Sequence, residues 1–354
     1  TTVALHRLGW LLHKGNSHAR AENTRVIVMN KSLQIYVSST LPSMGINGVD
    51  AITFNSWALS VIRHATGGKA FFKYRELPEF VEKIKFSNGI LGALSQFVNQ
   101  QVRSVDNAIS REFLTNEKLF KLWKESHSKA IQPRLKDFKH DVSESNLPIK
   151  EKKVALDYVQ NLLTGQEDYI GDLYKLLSDE KLLGSFLPAD AKLGEHLSYL
   201  SRMVDKSRGE NHLDYYDMSL ILRLIQLKHG GLPNKHGGVD EFDHLVVDEA
   251  QDFGPVEFSI MMDSVGDKRD LTIVGDVSQK ILFSRKFIGW ENILDNLEVK
   301  KDTLIQLEVS FRCTVPIMNL ARKIEGSKDS ISFGRPGSPV NWHRAVDHND
   351  FLET

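Results

Sequence analysis

Residues 245–252 read Leu245-Val246-Val247-Asp248-Glu249-Ala250-Gln251-Asp252, an apolar run that passes directly into carboxylates and an amide. A short β-branched run without polar interruption is typical of a strand buried on both faces of a parallel sheet. Ligands of such sheets bind at the carboxyl ends of the strands. We expect Asp248 at that edge, where its oxygens can hold Mg²⁺, and Glu249 beside it, able to polarise a water. For a lone Asp-Glu pair, the alternative is a solvated acidic turn.

Two further stretches have the same form. Residues 271–279 read Leu-Thr-Ile-Val-Gly-Asp-Val-Ser-Gln and end in Gln279, and Ser310-Phe311-Arg312 follows a candidate strand at 304–308. Together, strand-DEAQD, strand-GDxxQ and strand-SFR resemble motifs II, III and IV of the UvrD/Rep-type superfamily 1 DNA helicases. The resemblance implies an α/β fold, in which a RecA-like P-loop NTPase parallel sheet carries a large all-α insertion domain.

Composition limits the class of protein. The chain has 354 residues, 41% apolar and 26% charged, which is typical of a globular protein with more than one core. A formal net charge of -1 gives no global basic field, although a local groove can still bind phosphates. The single cysteine, Cys313, excludes an internal disulfide framework and suits a reducing compartment, so we expect a cytoplasmic protein. No apolar run approaches the ~20 residues that span a bilayer, so we expect no membrane partner.

The chain opens on helical spacing of apolar residues, which predicts an amphipathic helix over residues 1–14. Residues 2–7 resemble the helix that follows the P-loop in this helicase family. The resemblance implies that Thr1 is the Mg²⁺-binding hydroxyl of that loop and that its lysine and glycines precede the sequence given; a frayed terminal residue is the alternative. Without a P-loop, and without motifs V and VI, we expect this fragment to hydrolyse almost no ATP.

Two strand ends carry the candidates for nucleic-acid binding. A strand at 25–29 is followed by Asn30 and Lys31, which resemble motif Ia, and a strand at 49–53 leads into Thr53-Phe54-Asn55-Ser56-Trp57, which resembles motif Ib. The resemblance implies contacts to single-stranded DNA from Asn30, Lys31, Thr53, Asn55 and Trp57. Residues 30–32 begin a predicted helix, for which we expect Ser32 as the cap. The alternatives to DNA contact are turn chemistry at Asn30 and Lys31 and packing of Phe54 and Trp57 on the following helix.

The order of these motifs predicts four segments. Residues 1–58 form the N-terminal part of a first RecA-like motor domain, and residues 59–240, where the strand signal disappears, form a helical accessory insertion. Residues 241–309 complete the first motor domain, and residues 310–354 begin a second one. Residues 213–220 resemble the aromatic-and-Asp element that precedes motif II and shapes the DNA-binding side; a helix N-terminus capped by Asp214 or Asp217 is the alternative.

The resemblance implies ATP hydrolysis coupled to movement on single-stranded or partly duplex DNA, in repair or recombination. ATP would bind Thr1, Asp248, Gln251, Gln279 and Arg312, and Mg²⁺ would bind Thr1 and Asp248. Glu249 would activate water, Gln279 would sense the γ-phosphate, and Arg312 would neutralise developing charge. An alternative is a HelD-like ATPase that remodels RNA polymerase, because the sequences of residues 36–45 and 290–294 are similar to those of the HelD and helicase IV branch of the family. A catalytically silent interaction module is a third possibility.

Overall fold

The computed structural model describes residues 1–126, 129–210, 212–266, 270–276, 289–291, 304–305, 313–324, 326 and 334–342. Internal contacts divide the chain into two compact units, Thr1–Ile293 and Leu294–Thr354. The described strands of the first unit are β1 Thr24–Val28, β2 Asp50–Thr53, β3 Phe72–Lys73, β4 Leu213–Asp214, β5 Leu232–Pro233, β6 Val239–Asp240, β7 His244–Val247 and β8 Leu271–Ile273. Its described α-helices are α1 Thr2–Leu11, α2 Lys31–Ser43, α3 Phe54–Ala65, α4 Glu79–Lys85, α5 Asn88–Glu112, α6 Glu117–Glu125, α7 Ile131–Glu144, α8 Ile149–Gln166, α9 Tyr169–Ser178, α10 Glu180–Phe186, α11 Leu193–Gly209, α12 Asp217–His229 and α13 Pro255–Met262.

The main sheet is parallel and has the strand order β2-β1-β7-β8. Val26 pairs with Ala51 on one side and with Val246 on the other, and Val246 pairs in turn with Thr272. All four residues of β7 are buried, as the uninterrupted apolar run predicts for a strand covered on both faces. The α/β class with a parallel sheet, predicted from the sequence, is confirmed.

Helices α1 and α2 cover the sheet. Their buried apolar residues join those of β1, β2 and β7 in one core cluster, formed by Ala4, Leu5, Leu8, Val26, Val28, Val37, Leu41, Ile46, Ala51 and Val246. The apolar spacing near the start of the chain therefore predicted α1 correctly, although the helix ends at Leu11. Burial of this stripe holds α1, and with it Thr1, against the sheet.

The segment between β2 and β7 is mainly helical and contains a second core. Helices α5 to α8 enclose Val105, Ile109, Phe113, Leu119, Trp123, Ile131, Leu135, Phe138, Val142, Ala155, Val159 and Leu163. Helix α12 is buried along nearly its whole length, since it packs against α3, α5, α7, α9 and α13. The expectation of no strands at 59–240 is wrong in detail, because β3 pairs with β4 and β5 with β6 there. Two-residue strands carry no periodicity that a sequence could reveal.

In the second unit, an α-helix spans Val315–Ile324. Thr314 and Arg335 form an isolated parallel bridge, and residues 306–308 of the predicted third strand lie outside the described residues. Within the part of the chain that the structure describes, none of the helices is both long enough and apolar enough to cross a bilayer.

Candidate active site at the carboxyl edge of the sheet

The four strands of the main sheet are parallel, so their carboxyl ends share one edge. Asn30 lies two residues after β1, Thr53 ends β2, Asp248 follows β7 directly, and Asp276 lies three residues after β8. The motif candidates that the structure describes therefore converge on this edge, although they are far apart in sequence. The nucleotide candidates follow β7 and β8, and the DNA candidates follow β1 and β2.

Asp248 and Thr1 form a direct contact at this edge. The Thr1 hydroxyl donates a hydrogen bond of 2.6 Å to Oδ2 of Asp248, and the main-chain nitrogen of Thr1 lies 3.2 Å from Oδ1. Asp248 is only 2% exposed, and Thr1 is half-buried rather than frayed. Adjacent ligands of an octahedral Mg²⁺ lie about 2.9 Å apart, so a hydroxyl and a carboxylate held in this way fit such an ion.

Glu249 has an unusual backbone conformation. Its φ of 52° is the one positive value among the non-glycine residues that the structure describes. A left-handed backbone costs an ordinary residue about 1 kcal/mol or more and is often found at functional sites. The conformation turns the chain sharply after β7, and Glu249 is half-buried beside the fully buried Asp248. Its carboxylate can therefore meet both a bound group and solvent water.

Gln251 connects Glu249 to the loop after β8. Its Nε2 donates to Oε2 of Glu249 at 2.7 Å, and its Oε1 accepts from the main-chain nitrogen of Asp276 at 2.9 Å. A main-chain bond of 2.9 Å from Ala250 to Val274 joins the same two loops. Gln251 is 1% exposed, so this buried amide satisfies its polar atoms inside the protein. Glu249 and Asp276 thus engage both polar groups of the Gln251 side chain, and the nucleotide contact that the resemblance implied for Gln251 stays a prediction.

The glycine of the GDxxQ motif, Gly275, lies where the structure leaves little room for a side chain. A Cβ at this position would lie 2.7 Å from Oε1 of Gln251 and 3.1 Å from both the nitrogen and Cβ of Ala250. A side chain does not fit in that space unless the amide of Gln251 moves and Ala250 shifts by a few tenths of an ångström. The glycine therefore permits the close approach of the loops that follow β7 and β8.

Two predicted catalytic residues, Gln279 and Arg312, lie outside the described residues. Their proximity to Asp248 stays a prediction. The described part of the chain contains no group of three or more His, Cys, Asp or Glu residues arranged to hold a metal. A site with one carboxylate and one hydroxyl is still suitable for Mg²⁺, which commonly completes its shell with waters and substrate phosphates.

The first pair of DNA candidates lies at the start of α2. Asn30 is the N-cap of this helix, because its Oδ1 accepts a 3.0 Å hydrogen bond from the main-chain nitrogen of Leu33. The expected cap at Ser32 is therefore wrong, since Ser32 lies inside the helix. Asn30 and Lys31 are both exposed, so the amide NH₂ group and the ammonium group are accessible to a phosphate.

The second group of DNA candidates divides into buried and exposed residues. Thr53 is 7% exposed and caps α3 through a 3.1 Å bond from the main-chain nitrogen of Ser56. Trp57 is 6% exposed, and its ring lies 6.0 Å from that of Phe54. Base stacking does not fit so well-covered an indole, and the packing alternative describes it instead. Of the motif Ib candidates, Asn55 is exposed.

A polar chain behind the site was not anticipated from the sequence. Nε of Arg7 on α1 donates to Oγ1 of Thr272 at 3.1 Å, and the same oxygen lies 2.9 Å from Nε2 of His244. This chain of hydrogen bonds links α1 to β8 and to the first residue of β7. The sequence did contain one indication of this chain: His244 begins an otherwise apolar strand, and a buried imidazole needs a hydrogen-bond partner.

Comparison with known proteins agrees with this geometry. Residues 19–286 match the family described as the UvrD/REP helicase N-terminal domain. The match covers well over half of the chain, which therefore belongs to this family.

Individual relatives are named as DNA helicases. The ATP-dependent DNA helicase UvrD2 of Mycobacterium tuberculosis (strain CDC 1551 / Oshkosh) is 31% identical over 217 residues, which cover 57% of this chain and 29% of the relative. UvrD2 of Mycobacterium bovis gives the same values. DNA helicase II of Haemophilus influenzae is 30% identical over 120 residues, 31% of this chain and 16% of the relative. The chain thus matches less than a third of the length of these relatives.

Proposed function

We propose that this chain forms part of an ATP-dependent DNA helicase or translocase, in which ATP hydrolysis drives movement on single-stranded DNA. The observation that carries the proposal is the 2.6 Å contact between Thr1 and Asp248, next to Glu249, at the carboxyl edge of a parallel sheet. Family membership and the names of the relatives, which are DNA helicases, support the same activity. We further propose that single-stranded or partly duplex DNA is the substrate and that the pathway is repair or recombination.

In this proposal, Thr1 and Asp248 would hold Mg²⁺, which supplies positive charge against the β- and γ-phosphates of ATP. Glu249 orients a water and accepts its proton as the water oxygen bonds to the γ-phosphorus. The bond from that phosphorus to the bridging oxygen breaks, and ADP leaves with the electron pair. Gln279 and Arg312 keep their proposed roles as γ-phosphate sensor and charge-neutralising residue.

Gln251 is proposed as a positioning residue in place of a nucleotide ligand. It holds the Glu249 carboxylate at 2.7 Å and the Asp276 main chain at 2.9 Å, so the two loops move together. Gln279 follows Asp276 by three residues. A shift of its loop around the γ-phosphate would therefore change the orientation of the carboxylate that activates water.

The HelD-like alternative is not favoured, since the named relatives are DNA helicases and none is named for RNA polymerase. A silent interaction module is also less well supported, because such a module has no use for a strained Glu249 beside a buried Asp248.

The test measures DNA-stimulated ATPase of the full-length protein. Substitution Glu249→Gln keeps the size of the side chain and removes its basicity, so we expect kcat to fall by about 10²–10⁴-fold while KM for ATP stays within about threefold. Glu241→Gln, which changes an exposed acid near β7, is the matched control and should keep the parental rate. An unchanged kcat in Glu249→Gln would show that this residue is not the base. A parent without ATPase activity would contradict the proposed function itself.

A further inference from the structure

The segment at residues 69–75, Lys-Ala-Phe-Phe-Lys-Tyr-Arg, presents aromatic rings to solvent and is named here the β3 ledge. Phe71 is 67% exposed and Tyr74 is 76% exposed, although Ala70 between α3 and β3 is buried. Tyr215, which directly follows β4, is 46% exposed. Lys73 pairs with Asp214 at the ends of β3 and β4, so Tyr74 and Tyr215 are the first residues after the two paired strands. Three large rings are thus exposed next to one pair of short strands, which is unusual for a surface without a partner.

The stretch of sequence that leads into and includes the β3 ledge carries charges of one sign. Residues 51–75 contain no Asp or Glu, and their cations are Arg63, Lys69, Lys73 and Arg75. Lys69 and Lys73 are both exposed, and within the described part of the chain neither forms an ion pair. Glu76 is the first acid that follows. In a chain with a net charge of -1, this local excess of positive charge complements a polyanion.

The support beneath the ledge is rigid. Lys85 is 1% exposed, and its Nζ donates to Oδ2 of Asp214 at 2.8 Å and to Oδ1 of Asp217 at 2.6 Å. Main-chain nitrogens of both aspartates donate to the partner carboxylate at 3.1 Å. Burial acts to lower the pKa of Lys85, but the two carboxylates outweigh it and raise that pKa, so the ammonium stays charged. The turn that carries Tyr215 is therefore fixed before any ligand arrives.

We propose that the β3 ledge binds unpaired nucleic acid, with Phe71 and Tyr74 stacking on bases and Lys69 and Lys73 contacting phosphates. Proteins that bind single-stranded nucleic acid combine aromatic side chains with basic ones. The aromatic rings stack on the faces of the bases, and the basic groups contact the negatively charged phosphates. A duplex hides those base faces within its own stack. The choice of single-stranded DNA as the ligand rests on the proposed function, whereas the contact surface rests on exposure and charge.

The stacking test uses the full chain and a fluorescently labelled oligo-dT of about 20 nucleotides, followed by anisotropy. We expect Phe71→Ala and Tyr74→Ala each to raise Kd at least about fivefold, since a base stacked on a ring contributes that much or more. Tyr74→Trp keeps a flat ring and should restore parental binding. Trp10→Ala, which removes an exposed aromatic residue of α1, is the matched control and should leave Kd unchanged.

The charge test measures Kd over a range of salt concentrations. Each lysine that contacts a phosphate contributes about 0.7 to the slope of log K against log salt for a single strand. Lys69→Glu with Lys73→Glu should therefore reduce the magnitude of the slope by about 1.4. Lys150→Glu with Lys153→Glu, on the exposed start of α8, gives the same change in net charge and should keep the parental slope. Equal slopes in both double variants would overturn the proposal.

The outcomes separate this proposal from the proposed function. A parent that binds oligo-dT while all ledge variants bind equally well would remove the ledge and leave the function standing. A parent without measurable oligo-dT binding would contradict both. Should the ledge variants change sedimentation of the free chain and not Kd, the surface is a contact between copies of the chain, and the nucleic-acid proposal is wrong. Circular dichroism melting confirms that each variant is folded.

Discussion

At the scale of single residues, His244 shows how burial sets a protonation state. The imidazole is 3% exposed at the start of β7, with Nε2 2.9 Å from Oγ1 of Thr272. Burial, followed by the positive charges of Arg7 and His18, lowers the pKa of His244 to about 4. Burial also lowers the pKa of His229 to about 4, followed by the charges of Lys136, Lys228 and His64. Both rings are therefore neutral in the folded protein at neutral pH.

These shifts predict acid destabilisation in a defined window. Between pH 6.5 and 4 the unfolded chain binds protons at these histidines while the folded chain does not, so the free energy of unfolding falls as pH decreases through that window. We expect the loss to be on the order of 2–3 kcal/mol for each ring. Urea unfolding at several pH values measures it.

Substitution isolates the share of one histidine. His244→Asn should remove the share of His244 from the pH dependence between pH 6.5 and 4 and leave the share of His229, whereas His140→Asn, at an exposed position of α7, should leave the pH dependence unchanged. A pH dependence that is the same in His244→Asn as in the parent would contradict a neutral buried imidazole.

At the scale of elements, the loops after β7 and β8 can approach each other closely because residue 275 is a glycine and has no side chain. The added Cβ of Gly275→Ala would lie 2.7 Å from Oε1 of Gln251, so the amide must move from both Glu249 and Asp276. We expect a loss of about 1–3 kcal/mol in the free energy of unfolding, measured in urea.

A second glycine provides a control of opposite sign. A Cβ at Gly165, inside α8, would meet nothing within 4 Å, so Gly165→Ala should raise stability by up to about 1 kcal/mol. If Gly275→Ala were as stable as the parent, the close approach of the two loops would not matter for folding.

The same scale shows what the sequence could and could not predict. Strand β7 and the position of Asp248 at its carboxyl end were predictable, because an uninterrupted apolar run that ends in carboxylates is typical of a buried strand that leads to the edge of a parallel sheet. The cap of α2 was not, since Asn30 and Ser32 both have suitable side chains and the backbone decides. The burial of Trp57 and the two bonds of Gln251 depend on residues distant in sequence, such as Phe242 and Asp276.

At the scale of the whole molecule, the two compact units predict where the chain can be shortened. Each unit makes most of its contacts within itself, and the division falls between Ile293 and Leu294. A chain ending at Ile293 should therefore fold and melt cooperatively, with a midpoint within about 5 °C of the corresponding transition in the full chain. Circular dichroism and gel filtration measure this.

A shorter truncation is the control. A chain ending at Met262 loses β8, which pairs with β7 from Leu245 to Val247, and it should lose cooperative melting. If the chain ending at Ile293 were equally disordered, the first unit would depend on the residues that follow it.

The pairing of β3 with β4 has a consequence for how such a chain changes over evolutionary time. Phe72 lies opposite Leu213, so the 140 residues between them depart from and return to neighbouring points. The pairing of β3 with β4 therefore fixes the distance between the two ends of this segment, whatever the length of the segment. Helices of this segment that do not pack on α12, unlike α5, α7 and α9, can therefore be gained or lost while the strand that precedes Asp248 and Glu249 keeps its place in the sheet.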